Sequence, residues 1–379
     1  MNQTVFDKVK QYRRDLHAIP ELGFDLYKTS AYIKHHLTAM GYQIIEVANT
    51  GVLAVIEGQS TKTIAFRADM DGLPISEQLN VSFRSTHEGV MHACGHDGHM
   101  AMLLGFAEMI AAKRHLQKSV MLIFEPAEET LGGAKDIVNH PRYQERDIEA
   151  VFALHLDPEL EAGKLGLIEG IMTAQDGDFD ITIHGINAHG TSPHQGNDAL
   201  LAASSLVQQY YTIASRSIDP LVSAMINIGT IESGEGRNII AKSAHLSGSI
   251  RAFDYYQYER IKERMRAIDK GIETAYNVTI ENTMVDLHPP VRNDHHLFIT
   301  MCQVFNRGEY ELIQPRMLAE DFSYYQQHTP GLFIMLGVKN QVLGYTQPLH
   351  SSFFDFDERV LMVGVESYLK IAQTMDVFK

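Results

Sequence analysis

At 379 residues the chain exceeds the size at which one hydrophobic core usually keeps growing, so two domains are expected. Lys+Arg at 32 against Asp+Glu at 47 give a formal net charge of -15, which argues against general affinity for phosphate backbones or anionic membranes and favours a small-molecule partner. The two cysteines, Cys94 and Cys302, are too few for a disulfide framework, and neither a signal peptide nor a membrane-length apolar run is evident; a reducing, cytoplasmic setting is expected.

From Gln3 to Met40, Val5, Val9, Tyr12 and Leu16, then Ala31, Ile33 and Leu37, recur at helical spacing, with Pro20 separating two segments. VLAVIEG (52–58), TIAFRAD (63–69), SVMLIFEP (119–126), AVFALHL (150–156) and LFIMLGV (332–338) read as buried strands, with a helix over 100–113. Strands alternating with helices predict a layered α/β domain around a central mixed sheet, over 1–177 and 286–379. Between 178 and 285 the order becomes strand (178–185), helix (197–215), two strands (221–233 and 244–253), helix (256–276) and strand (277–285). That β-α-β-β-α-β order is a split βαβ, ferredoxin-like unit, read as an inserted domain.

Five potential metal-binding side chains sit at the ends of apolar runs: Cys94 and His96 in HACGHDGH (92–99), Glu129 in FEPAEE (124–129), His155 in VFALHLD (151–157) and His350 in QPLHSSFFDFDE (347–358). Thiolate, imidazole and carboxylate together suit a borderline-soft ion such as zinc, whereas magnesium and calcium prefer oxygen alone. Beyond the carboxyl ends of the strands of an α/β sheet, one crevice could collect them all, with Asp69 and Asp71 of RADMDGLP (67–74) and Glu128. Asp97 and His99 are then spare metal-competent neighbours, and a helix N-terminus close to Cys94 is expected to lower its thiol pKa. A catalytic thiol and an inert buried cysteine are the competing readings of Cys94. Adjacent acids in PAEE suit one ligand and one general base, although for two glutamates alone an exposed helix start is the commoner explanation. His189 in GINAHGTSPHQGND (185–198) reads either as a hydrogen-bond donor to an oxyanion or as part of a polar loop before a helix capped by Asn197 or Asp198. His17, His35, His36, His295 and His296 read as structural or surface residues.

RRDLHAIPELGF (13–24), RADMDGLP, MHACGHDGH (91–99), FEPAEE, HGTSPHQGND (189–198), GRNIIA (236–241), AEDFSYY (319–325) and LHSSFFDFDE (349–358) together resemble, in order, the zinc aminoacylase and carboxypeptidase superfamily, and more closely its amidohydrolase branch. The resemblance implies a catalytic α/β domain interrupted by a lid or dimerisation domain, a homodimer, and two divalent metal ions per subunit, of zinc, manganese, cobalt or nickel. Cys94, His96, Glu129, His155 and His350 become the metal ligands by this resemblance, Glu128 the general base, and His189 an oxyanion donor, acting within its own subunit or in the partner's. Asp69 is the usual active-site aspartate of the branch, whereas the wider superfamily pattern selects Asp71. Asn238 and Arg251 are candidates to contact a substrate carboxylate, Arg251 equally a structural ion-pair partner. Glu125 stands where the branch commonly has Gln, and is expected to add a carboxylate near the metals.

The implied reaction is hydrolysis of an N-acyl amino acid. RRDLHAIPELGF, STHEGVMHACGHD (85–97) and SRSIDPLVSAMINIGTI (215–231) look most like N-acetyldiaminopimelate deacetylases of lysine biosynthesis. A broader aminoacylase, hippurate hydrolase or dipeptidase is the alternative within enzymes. A non-catalytic metal-binding dimeric scaffold is the alternative outside them, and retention of Glu128 beside a full ligand set argues against it.

Overall fold

The computed structural model describes residues 3–113, 115–130 and 132–379. Two compact units emerge, one running to Met172 and resuming over Arg292–Gln314 and Asp321–Lys379, the other comprising Thr173–Val291 and Pro315–Glu320. These bounds are wider than 178–285. Hydrogen bonds from Asp176 N to His288 O (3.1 Å) and from Ala174 N to Leu318 O (3.0 Å) attach the flanking residues and the 315–320 segment to the second unit.

The first unit opens with α1 (Gln3–His17), α2 (Tyr27–Ala39), β1 (Gln43–Val47), β2 (Gly51–Ile56) and β3 (Lys62–Asp69). Next come α3 (His96–Ala111), β4 (Ser119–Glu125), the short α4 (Gly133–Val138) and α5 (Pro141–Gln144), β5 (Asp147–Glu161), β6 (Leu165–Leu167) and β7 (Gly170–Ile171). The second unit contributes β8 (Gln175–His184), α6 (Ala199–Arg216), β9 (Ala224–Ser233), β10 (Ser243–Ala252), α7 (Tyr255–Tyr276) and β11 (Thr279–Asp286). The first unit then resumes with β12 (Arg292–Asn293), α8 (His295–Val304), β13 (Tyr310–Leu312), α9 (Ser323–Gln326), β14 (Gly331–Lys339) and α10 (Val360–Thr374).

The main sheet has the order β1-β2-β4-β3-β5-β14-β6-β13 and is mixed. Strand β3 runs parallel to both β4 and β5, and β14 runs parallel to β5, whereas β1, β2 and β4 pair antiparallel. Near-continuous apolar sequence in β2, β4 and β14 matches strands covered on both faces. Helix α3 is apolar almost all round because it is buried, packing against both α1 and α10. Gly105 permits that approach: a Cβ there would meet Val9 Cγ2 at 2.4 Å and Val365 Cγ2 at 2.9 Å.

Buried charge pins α1 to the start of α3. Asp97 accepts from Arg13 Nε (3.1 Å) and His17 Nδ1 (2.8 Å), while His17 Nε2 lies 3.2 Å from Glu77 Oε1. Asp97 is therefore committed to the frame rather than spare for a metal. Burial opposes a charge on His17, but Asp97 and Glu77 outweigh it and raise its pKa from 6.5 to about 9. A group raised on folding contributes stability fully below its unfolded pKa and loses it as pH rises through the folded value. His17→Gln should therefore flatten the loss of unfolding free energy between pH 6.5 and pH 9, measured by urea titration, and an unchanged slope would exclude His17 as its source.

In the second unit the sheet order is β11-β8-β10-β9, all antiparallel, with α6 and α7 supplying one apolar layer. Alternation along β8 buries Phe179, Ile181 and Ile183 and leaves Asp180 and His184 outward. They meet Leu206 and Tyr210 of α6 and Ile261 and Met265 of α7. Asp198 caps α6, accepting from Leu200 N at 3.0 Å and Leu201 N at 3.2 Å.

Candidate metal centre and active site

The site is built at the carboxyl ends of β3 and β4, whose parallel register sets Asp69 opposite Glu125. Beyond Glu125 the chain turns through Ala127, a non-glycine residue held at φ 62, and then presents Glu128 and Glu129. Gly95, at φ 88, makes the left-handed turn that separates Cys94 from His96, and His96 is already the first residue of α3 rather than lying ahead of it. His350, at φ 63, is fixed by its backbone N–H donating to Ala93 O at 2.9 Å, beside Cys94.

His155 differs from expectation. It does not end a strand, because β5 continues to Glu161 and His155 pairs with Met335 of β14. Strand β3 leaves β5 after the Arg67–Ala153 pair, two residues before His155. The ring donates through Nδ1 to Leu156 O (2.8 Å), which fixes the tautomer and leaves a lone pair on Nε2, 3.6 Å from Cys94 Sγ.

Cys94, His96 and Glu129 each offer a donor atom within 4.8 Å of the others. His96 Nε2 lies 3.8 Å from Glu129 Oε1 and 4.0 Å from Glu128 Oε2, and His350 Nε2 lies 3.3 Å from Glu129 Oε1. His96 Nε2 and Glu129 Oε1 are buried and make no hydrogen bond of good geometry among the described residues. Converging, desolvated donors of thiol, imidazole and carboxylate type fit a divalent cation. His99 belongs to a second cluster, with Asp69, His96 and His155, but both its nitrogens are spoken for: Nδ1 meets Asp69 Oδ1 at 2.6 Å and Nε2 accepts from Leu156 N at 2.9 Å. It supports Asp69 and offers a cation no lone pair.

The two aspartates separate by geometry. Asp71 Oδ1 lies 3.3 Å from His96 Nδ1, the ring atom opposite Nε2, while Asp71 Oδ2 accepts from Glu129 N at 3.1 Å. Asp71 thus orients two potential ligands from behind. Asp69 is held by His99 and by Arg67 Nη1 at 2.8 Å, and its Oδ2 comes within 3.7 Å of His96 Nε2.

The expected lowering of the Cys94 thiol pKa is reversed. Burial and the charges of Glu129, Glu128 and Asp69 push it well above the ordinary range. Burial likewise opposes a charge on His96, yet Asp69, Asp71 and Glu129 raise its pKa to about 10. Cation binding by either group accordingly releases a proton.

Glu125 lies opposite Asp69 in the strand register, a further carboxylate next to the site. It is fully buried and faces Arg67, with Arg67 Nε at 3.1 Å, Nη2 at 2.9 Å and the Tyr325 hydroxyl at 2.6 Å, so its charge is matched within the protein. The motifs do not single out Arg67, and they leave His99 and Asp97 as spare neighbours rather than supports. The signal available in the sequence is an arginine inside a buried apolar strand, which requires acidic partners.

Three candidates lie in the second unit. His189 is exposed; its Nδ1 accepts from Thr191 N (3.2 Å) and meets Thr191 Oγ1 (2.7 Å), which leaves the proton on Nε2, ready to donate outward. Asn238 shares this loop, its carbonyl accepting from Gly190 N at 2.8 Å while His189 bridges to Ile239. Arg251 donates through Nη1 to Met317 O and is partly committed to the 315–320 segment.

An α/β sheet carrying these donors beyond its strand ends defines a metal-dependent hydrolase in the light of its relatives. Residues 65–374 match the model of peptidase family M20/M25/M40, and the chain belongs to that family. It is 40% identical over 334 residues to an N-acetyldiaminopimelate deacetylase of Anoxybacillus flavithermus, covering 86% of this chain and 88% of the relative. An uncharacterized hydrolase of Staphylococcus saprophyticus is 34% identical over 377 residues, 98% of each chain. The solved structure of Bacillus subtilis YXEP, described as a dinuclear metal-binding peptidase of the M20 family, superposes with a TM-score of 0.86 at 29% identity over 99% of both chains. No helix among the described residues is long and apolar enough to cross a membrane.

Proposed function

We propose that this enzyme removes the acyl group from an N-acyl amino acid, with N-acetyldiaminopimelate, an intermediate of lysine biosynthesis, as its substrate. The observation that carries the hydrolytic reading is the pairing of Glu128 and Glu129 on one turn: both approach His96 Nε2, yet only Glu129 belongs to the converging donor cluster with Cys94. Glu128, outside that cluster and 4.0 Å from His96 Nε2, is the carboxylate this reading assigns to proton transfer. The substrate assignment is supported by several relatives of that name at 36–40% identity.

In this reading Cys94, His96, Glu129, His155 and His350 hold two divalent ions per subunit, zinc, manganese, cobalt or nickel. When bound, such ions supply Lewis acidity, polarising the amide carbonyl and acidifying water. Glu128 takes a proton from the attacking water and returns it to the leaving amine. Asp71 orients His96, and Asp69 stabilises the positive side of the cluster. His189, through Nε2–H, donates to the oxyanion, and Asn238 and Arg251 bind the substrate carboxylate. The inserted unit, in this reading ferredoxin-like, serves as lid and dimer contact; its edge strand β9 exposes Met225 and Ile231, suited to a second copy. The enzyme acts in the cytoplasm as a homodimer.

The deciding experiment measures free amine released from N-acetyldiaminopimelate, hippurate, other N-acetyl amino acids and dipeptides, with each metal added in turn. Preference for N-acetyldiaminopimelate supports the assignment; preference for hippurate or dipeptides moves it to a broader aminoacylase or dipeptidase, as the description of YXEP as a peptidase would favour. Cys94→Ser should lower metal affinity, since a hydroxyl is a poorer ligand than a thiolate for a borderline-soft ion. Metal content per subunit and affinity both equal to the parent enzyme would remove Cys94 from the ligand set.

A further inference from the structure

Beneath the cluster lies a charged assembly that the proposed chemistry does not use. Arg67, 1% exposed, directs its guanidinium at three buried carboxylates. Nε and Nη2 grip Glu125 (3.1 and 2.9 Å), Nη1 donates to Asp69 (2.8 Å) and Nη2 also donates to Asp321 (2.9 Å). Each acid is anchored a second time: Glu125 by the Tyr325 hydroxyl (2.6 Å), Asp321 by Ala134 N (3.1 Å) and Asp69 by His99 Nδ1 (2.6 Å). Because His99 Nε2 accepts from Leu156 N, the chain of bonds runs from Tyr325 through Glu125, Arg67, Asp69 and His99 to the backbone beside His155.

One cation facing three acids is a poor source of stability, since desolvating four charges offsets most of their attraction. What the arrangement does supply is geometry. A guanidinium is a planar fork with five fixed donors, and a bidentate grip on Glu125 fixes its plane and so the directions in which Nη1 donates, one of them taken by Asp69. Asp69 has two bonds, one to each oxygen, and both donors are themselves immobilised.

We propose that Arg67 is a positioning residue for the hydrolytic site: the fork, steadied by Glu125 and Asp321, fixes the rotation of the Asp69 carboxylate and thereby holds His99 against it. This rests on the hydrolase reading above, in which Asp69 takes part. Lysine retains the charge and loses the fork, so Arg67→Lys separates position from charge. Glu125→Asp keeps every charge while drawing the anchor back by one methylene.

Two readouts decide the matter. The first is steady-state kinetics on whichever acyl substrate the parent enzyme cleaves best, with metal content and thermal unfolding measured alongside. Arg67→Lys should retain metal and lower kcat by about tenfold or more with KM little changed, as misplacement of a reacting group does. Glu125→Asp should act in the same direction, by about threefold or more. In an Asp69→Asn background Arg67→Lys should add little, because both act through one group. The second readout is the His99 Nδ1 proton in nitrogen-labelled protein, resolved by NMR in the parent and shifted or lost to exchange in both variants. The inference is overturned by kcat within about twofold of the parent in a metal-replete variant, by additive losses in the Asp69→Asn background, or by an unchanged His99 signal. Should Arg67→Lys fail to fold, Glu125→Asp is judged by the same outcomes. If the parent enzyme cleaves no acyl substrate, the hydrolase reading falls, while the His99 signal still judges Arg67.

Discussion

Glu128→Gln is expected to keep its metal and to lose turnover by at least about a hundredfold, the usual cost of removing a general base. The substitution preserves shape, so the left-handed turn at Ala127 and the position of Glu129 should survive. Glu128 Oε2 stands 4.0 Å from His96 Nε2, while Glu129 Oε1 is the closer oxygen at 3.8 Å and also lies near His350. An amide at 128 can still hydrogen-bond to water but cannot take its proton. Metal analysis and single-turnover kinetics on the same preparation check the result. Near-normal turnover in a metal-replete variant would take Glu128 out of the mechanism.

His189→Ala is expected to cut turnover by about a hundredfold to a thousandfold, the range for loss of one oxyanion donor, with metal content intact. A donor that acts mainly in the transition state affects kcat more than substrate binding. The Thr191 contacts at Nδ1 provide the structural reason for choosing this histidine, since they leave Nε2 protonated without requiring a charge on the ring. Whether the donor serves its own subunit or the partner is decided by mixing His189→Ala with Glu128→Gln. Donation across a dimer predicts recovered activity, because one site of each mixed dimer then has both intact residues. Mixed dimers no more active than either parent would reject donation in trans, and a fully active His189→Ala enzyme would reject the role itself.

The layered α/β class and its central mixed sheet are legible in apolar runs bounded by acidic or glycine-containing turns, because burial on both faces leaves that local signature. The convergence of Cys94, His96 and Glu129 is legible from residue type and strand-end placement. The supporting shell is not. Arg13 and His17 reach Asp97 from more than 75 residues away, and Arg67 reaches Asp321 across 254 positions, separations that no periodicity records. The direction of the Cys94 shift is hidden for the same reason: the helix start is local in sequence, whereas Glu128, Glu129 and Asp69 arrive through the fold. His155 is misplaced by its sequence because the end of a strand depends on its neighbour, here β14, rather than on its own residues.

The position of β14 has a consequence for synthesis. It is translated after every other described strand of the main sheet, yet it occupies the interior of that sheet, between β5 and β6. Until it arrives, the buried run Val151–Leu156 on β5 has an open hydrogen-bonding edge, and the whole second unit is translated while that edge waits. An open apolar edge is a template for pairing with other chains. Nascent chains arrested within the inserted unit should therefore be more prone to aggregate than chains arrested after Lys339.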